Sequence, residues 1–119
     1  MSAALSPERE LLTAVYAAFN ARDVDAVLAV MHADVDWPNG WEGGRVTGLA
    51  GVREYWLRQW ESIDPRVTPV GFSVEADGRT AVAVHAVVRE RGGELLFDGT
   101  LTHVYTFAGG LIRRMEIRP

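Results

Sequence analysis

The sequence predicts an α+β protein: three N-terminal helices packed on one face of a curved antiparallel sheet. Three observations carry that expectation. In the N-terminal half, apolar residues recur at helical spacing in three segments. Beyond Pro65 the chain turns to alternating runs rich in β-branched and aromatic residues. Those runs are separated by Asp77-Gly78, Gly92-Gly93 and Gly109-Gly110, which supply the positive φ angles that tight hairpins need. Helices followed by a meander bury their apolar stripes as one layer on the sheet.

In chain order, Ser6-Pro7-Glu8 reads as a helix start: Ser6 caps, Pro7 takes the first turn and Glu8 suits the helix dipole. Leu12, Val15, Tyr16 and Phe19 then give one apolar face. Asp23 caps a second, shorter helix with the stripe Val24, Val27, Leu28 and Met31, and His32 ends it. Residues 34–37 read as a short strand, stopped by Pro38 and the Asn39-Gly40 turn. Gly48 and Gly51 frame the start of a third helix. Its face is Val52, Tyr55 or Trp56, Trp60 and Ile63, and Pro65 prevents its continuation.

The strand residues divide by period 2. In the run 79–91, Val82, Val84, Ala86 and Val88 form a wholly apolar face, and Ala83, His85, Val87 and Arg89 point the other way. In the next run Phe97, Leu101, His103, Tyr105 and Phe107 alternate with Asp98 and a row of threonines. A tight Gly92-Gly93 hairpin pairs even positions with odd ones, so the two apolar faces coincide and His103 is the one imidazole on the shared face. Pairing about Gly109 sets Met115 opposite His103. Arg89 and Asp98 are expected on the outer face as a surface pair, worth about 0–1 kcal/mol.

Composition bounds the function. A chain of 119 residues with 48% hydrophobic content suits one globular domain over residues 1–119. The net charge of −4, with no basic run, argues against nucleic acid and anionic membrane as partners. No cysteine is present, so disulfides, thiolate catalysis and cysteine metal sites are excluded, and a reducing cytoplasm is the expected location. The first residues lack the charged start and apolar run of a signal peptide, and no segment is long and apolar enough to span a membrane. Three separated histidines without His-x-His or i, i+4 carboxylate spacing give no metal site, and no cofactor is expected.

The stretches VYAAFNARDVDAVLAVMHADVDW, GLAGVREYW and HVYTFAGGLIRRMEI resemble the nuclear transport factor 2-like superfamily, and within it SnoaL-like and ketosteroid-isomerase-like domains. The resemblance implies a cone, with three helices and a bent sheet enclosing a mostly apolar pocket, in a homodimer packed through the sheet. It does not imply one activity, because that fold hosts isomerases, dehydratases, cyclases, epoxide hydrolases and non-enzymatic binders. Ketosteroid isomerases keep a base aspartate just before the proline that ends the first strand. Here that place is held by Trp37, and Asp36 is one step earlier, on the opposite face. Their helix tyrosine matches Val15, with Tyr16 adjacent. Their proton-donating aspartate falls on Thr102 in a gapless match, or on His103 with one residue deleted from the last turn; the second register keeps the pocket-side strand apolar. Steroid isomerase activity is therefore not expected. The epoxide-hydrolase relatives need an Asp-Arg-Asp set inside the pocket, and the pairing register leaves Arg89 and Asp98 outside it.

The remaining candidates carry two readings each. His103, buried among Leu101, Tyr105 and Met115, either relays a proton or polarises a carbonyl, or is a core histidine bonded to Tyr16, Trp37 or a water. Trp37, Trp41, Trp56 and Trp60, with Tyr16 and Phe19, are a core or the flat walls of a pocket for a planar, aromatic or polycyclic apolar molecule. Asp36, Asn39 and Glu42 supply acid-base groups or stabilise a turn. His85, on the outer face, suits a dimer interface. Two functions of different class follow. One is cofactor-independent isomerase, cyclase or dehydratase-type chemistry centred on His103; the other is a non-enzymatic ligand-binding or dimerising domain.

Overall fold

The computed structural model describes residues 5–40 and 42–119, with side chains from Pro7 onward. Ser6, expected as the cap, lies inside α1, which already includes Leu5; Trp41 lies outside the described residues. The elements are α1 (Leu5–Asn20), α2 (Val24–Leu28), β1 (Met31–Pro38), β2 (Arg45–Thr47), α3 (Gly48–Ser62), β3 (Ile63–Val74), β4 (Thr80–Glu90), β5 (Leu95–Ala108) and β6 (Leu111–Arg118). Three helices and an open sheet ordered β2-β1-β6-β5-β4-β3 give the α+β architecture.

Local chemistry places each helix. Leu12, Val15 and Tyr16 of α1 are buried along the stripe their spacing marks. The chain leaves α1 through Arg22 at φ 64, a left-handed position normally given to glycine. Arg22 is held there by Asp64 and by its guanidinium lying over the rings of Phe19 and Trp60. Asp23 accepts from the Ala26 amide at 3.2 Å and caps α2. In α3, Val52, Tyr55, Trp56 and Trp60 are all buried, so both aromatic candidates at the middle turn face inward. Ile63 already has extended backbone, two residues before Pro65.

The structure corrects several expectations. Met31 and His32 belong to β1 and not to a helix, and His32 Nδ1 accepts from the Asp34 amide at 3.0 Å. Helix α2 is short because the next residues are taken by the sheet: β1 runs parallel to β6, and the Ile112 amide donates to Val30 at 2.9 Å. The sheet is thus mixed and not wholly antiparallel. β2, which the sequence did not signal, is a three-residue strand antiparallel to β1 at one edge. β3 forms the other edge, where Pro65 and Pro69 are tolerated because an edge strand has unpaired backbone groups to spare.

Register is where the prediction is both strongest and weakest. From Thr80↔Tyr105 to Val88↔Phe97 the β4–β5 pairing is the one the hairpin arithmetic gives, and His103 stands opposite Val82 on the helix-facing side. On β6, however, Met115 lies opposite Tyr105, and Ile117 lies opposite His103. One residue of that shift arises because the Gly109-Gly110 turn is a two-residue loop with positive φ at both glycines, centred between them. The other is a β-bulge between Thr106 and Phe107. A shift of two restores the face, so Met115 stays buried on the inner side. Arg89 and Asp98 do lie exposed on the outer face but are not paired: Asp98 meets His85 at 2.6 Å, while Arg89 donates to the Gly93 carbonyl.

Asp36 shows what its outward step does. Its carboxylate accepts from Arg45 of β2 and Arg114 of β6, and Arg45 also reaches the Met115 carbonyl at 2.6 Å. One half-buried acid therefore ties three neighbouring strands. Asp36→Asn removes the carboxylate shared by Arg45 and Arg114, leaving Arg114 only Glu116 at 3.8 Å, and is expected to lower stability by roughly 1–3 kcal/mol, between exposed and fully buried ion pairs. Urea unfolding measures it; no change in midpoint would mean that the pairs are screened by solvent.

Candidate functional site

Under the helix layer lies a cavity of ≈ 180 Å³. α1 contributes Tyr16 and Phe19, β1 Trp37, α3 Trp56, β5 Leu101, His103 and Tyr105, and β6 Met115. All of these were expected from the sequence. Trp60 does not line it: one turn beyond Trp56, it stacks on that ring at 6.0 Å and meets Phe19 at 5.4 Å, behind the cavity wall. Its indole N–H is buried without an acceptor among the described residues. Asp36 is not brought to the cavity. Asn39 and Glu42 are engaged in their own turn: the Glu42 amide donates to Asn39 Oδ1 at 2.7 Å, and Arg58 holds the Glu42 carboxylate at 2.6 Å. That ion pair and the Asn39 amide keep the Glu42 carboxyl below its ordinary range.

Sequence reasoning missed Tyr55 and Gln59 of α3, which line the cavity and are joined by a 3.0 Å hydrogen bond from the Gln59 amide to the Tyr55 hydroxyl. Gln59 lies one helical turn after Tyr55, and that spacing was the available signal. It also missed Pro65 and Val67, brought in by the pairing of β3 with β4, whereas Ala86 and Val88 lie on the apolar face expected to be shared with His103.

His103 is held by a buried string of hydroxyls. Tyr105 Oη donates to Tyr16 Oη at 2.8 Å, and Tyr16 Oη lies 2.8 Å from His103 Nδ1. Each phenol has one proton. With that of Tyr105 spent on Tyr16, that of Tyr16 is directed to Nδ1, and the neutral imidazole carries its own proton on Nε2. The opposite direction would leave the Tyr105 hydroxyl, 1% exposed, without an acceptor among the described residues. Burial pushes the His103 pKa down to about 4, so the ring is neutral at pH 7. Burial also raises both phenols, Tyr16 well above its usual value with Tyr105 adding to the effect. The string is therefore a set of aligned dipoles ending in one N–H donor, and not a proton source.

Among the described residues no Asp, Glu, Lys or Arg side chain lines the cavity, and no group of three His, Asp or Glu is placed to hold a metal ion. What this arrangement can do is bind an apolar ring against Trp37, Trp56 and Phe19 and donate one hydrogen bond from a neutral imidazole.

The SnoaL-like domain family matches residues 12–115. TerC, solved after co-crystallisation with polyporic acid, is similar at 30% identity over 93% of this chain and 89% of its own, with a TM-score of 0.80. A putative polyketide cyclase from Pseudomonas putida is 25% identical over 92% and 89%, with a TM-score of 0.78. A nuclear transport factor 2-like protein from Burkholderia pseudomallei shares the fold at 24% identity and TM-score 0.81, over 99% of this chain and 91% of its own. None of the curated proteins compared matches the chain.

Proposed function

We propose, from the premise that this chain belongs to the SnoaL-like domain family, that it binds a small, planar, oxygen-bearing apolar molecule in the cavity under its helices. The ligand's oxygen accepts a hydrogen bond from His103 Nε2–H. The observation that carries this is that the buried tyrosines engage His103 at Nδ1 alone; with Tyr16 donating there, Nε2 holds the ring proton and has no acceptor among the described residues. The size of the cavity, ≈ 180 Å³, favours a single ring over a polycyclic one in this conformation. The similarity to TerC and to the putative polyketide cyclase supports a cyclic organic ligand.

Any turnover is cofactor-independent. His103 polarises the bound carbonyl and stabilises negative charge that develops on its oxygen, as a neutral imidazole does when it is a fixed donor in a dry site. Proton abstraction from carbon has no carboxylate base in the cavity, so that proton passes to water or to a basic group of the ligand itself. The same lack favours a second reading: a ligand-binding protein that performs no chemistry, dimerising through the outer face of the sheet.

The binding claim is tested by titrating acetophenone against α-methylstyrene, its isostere without the oxygen, by calorimetry. His103→Ala is expected to weaken acetophenone by roughly tenfold, the order of one lost hydrogen bond to a buried carbonyl, and to leave α-methylstyrene unaffected. His103→Gln, which keeps an N–H donor, should recover part of the loss. Equal acetophenone affinity in wild type and His103→Ala would overturn the assignment. Polyporic acid, the molecule crystallised with TerC, is the further compound to titrate.

A further inference from the structure

The inner face of the β4–β5 hairpin has a notch in it. Successive cross-strand rungs are Val84–Leu101, Ala86–Gly99 and Val88–Phe97, and Leu101, Ala86 and Val88 line the cavity. At the middle rung the two side chains are a methyl group and a hydrogen, so the sheet wall is recessed there. The Phe97 ring is folded back into that recess. A Cβ built on Gly99 would lie 2.9 Å from Phe97 Cζ, with Cε2 at 3.4 Å and Cε1 at 3.6 Å. Gly99 is absent from the residues with positive φ, so its backbone does not require glycine; the space taken by the ring does. Phe97 itself is 42% exposed and stands just outside the cavity lining, beside Val88, its partner across the strands.

We propose that Phe97, seated on Gly99, is the movable end wall of the cavity and sets the length of ligand the site accepts. With the ring swung off the glycine, the Ala86–Gly99 rung is bare and the cavity runs on along the sheet toward the hairpin turn. The ligand class is then an oxygen-bearing ring with a linear apolar tail: the ring sits at His103 and the tail lies along the notch. This rests on the cavity being the ligand site, as proposed above. An aromatic ring over a strand glycine also shields backbone from water. That role changes stability but not the preference among ligands, so selectivity separates the two.

The test is a series of phenyl ketones, acetophenone, butyrophenone and hexanophenone, titrated calorimetrically into wild type, Phe97→Ala and Gly99→Ala. Each methylene buried in the opened notch is worth roughly fourfold in affinity. Phe97→Ala is expected to raise the ratio of hexanophenone to acetophenone affinity by about tenfold, because no ring has to be displaced. Gly99→Ala fills the notch from the backbone side and is expected to lower the same ratio. Acetophenone is the reference within each protein, so a change common to all the ketones cancels in the ratio. An unchanged ratio in both variants, with acetophenone still bound in a His103-dependent way, overturns this proposal and leaves the site assignment standing. Failure of wild type to bind any of the ketones overturns both.

Discussion

Replacing Trp56 with alanine is expected to lower the free energy of unfolding by about 3–5 kcal/mol, among the largest effects of any single truncation in this fold. Trp56 is 2% exposed and stands where the helix layer meets the sheet. Its ring meets Phe19 of α1 and Trp37 of β1 edge-on, each at 5.4 Å between centroids, and stacks on Trp60 at 6.0 Å. Removing it takes away the transfer energy of a large side chain and three aromatic contacts. It also opens a void beside the existing cavity, which close-packed neighbours fill only in part. Leu57, the next residue on α3 and 45% exposed, is the internal control, with an expected loss within about 0.5 kcal/mol. Guanidinium unfolding with matched slopes decides it. A Trp56→Ala loss below about 1.5 kcal/mol would mean that α3 is anchored elsewhere.

The second large effect is a pH dependence of stability carried by His103. In the folded chain its pKa is pushed down by burial from 6.5 to about 4. Between those values the unfolded chain binds a proton that the folded chain does not, so stability rises with pH there. The contribution is fully present above about pH 6.5 and is lost as pH falls toward 4. Its full size is about 3 kcal/mol, at roughly 1.4 kcal/mol per pH unit. Exposed carboxylates add their own losses in the same range, so the informative quantity is the difference between wild type and His103→Gln. That difference should shift by about 3 kcal/mol in favour of the variant between pH 7 and pH 4. A pH-independent difference would show that the imidazole is hydrated or charged in the folded state.

Much of this site was legible one residue at a time. Tyr16 and Phe19 were readable because helical spacing puts them on the face of Leu12. His103 was readable because period 2 and a tight diglycine turn fix which residues share a face. Trp60 was not separable from Trp56 by spacing, since both lie on the buried side of one helix, and which ring borders the void depends on where Phe19 arrives from another helix. Asp36 carried a role that its face alone did not reveal. The strand pairing that brings Arg45 and Arg114 to it joins residues distant in sequence, through a short strand with no signal of its own.

The sequence by itself determined the α+β class, the inner faces of β4 and β5, their register and most of the aromatic residues that surround the cavity. These follow from local rules: apolar periodicity, capping, and turn residues that admit only a few loop geometries. Only the tertiary structure decided the parallel pairing of β1 with β6, the bulge that sets Ile117 opposite His103, the size of the cavity, and the direction of the Tyr105–Tyr16–His103 string. Apart from the bulge, which lies within the β5–β6 hairpin, each of those depends on contacts between segments far apart in the chain. His103 is the plainest case: its side of the strand is fixed by its own number, but the hydrogen-bond partner of its Nδ1 is a tyrosine 87 positions away.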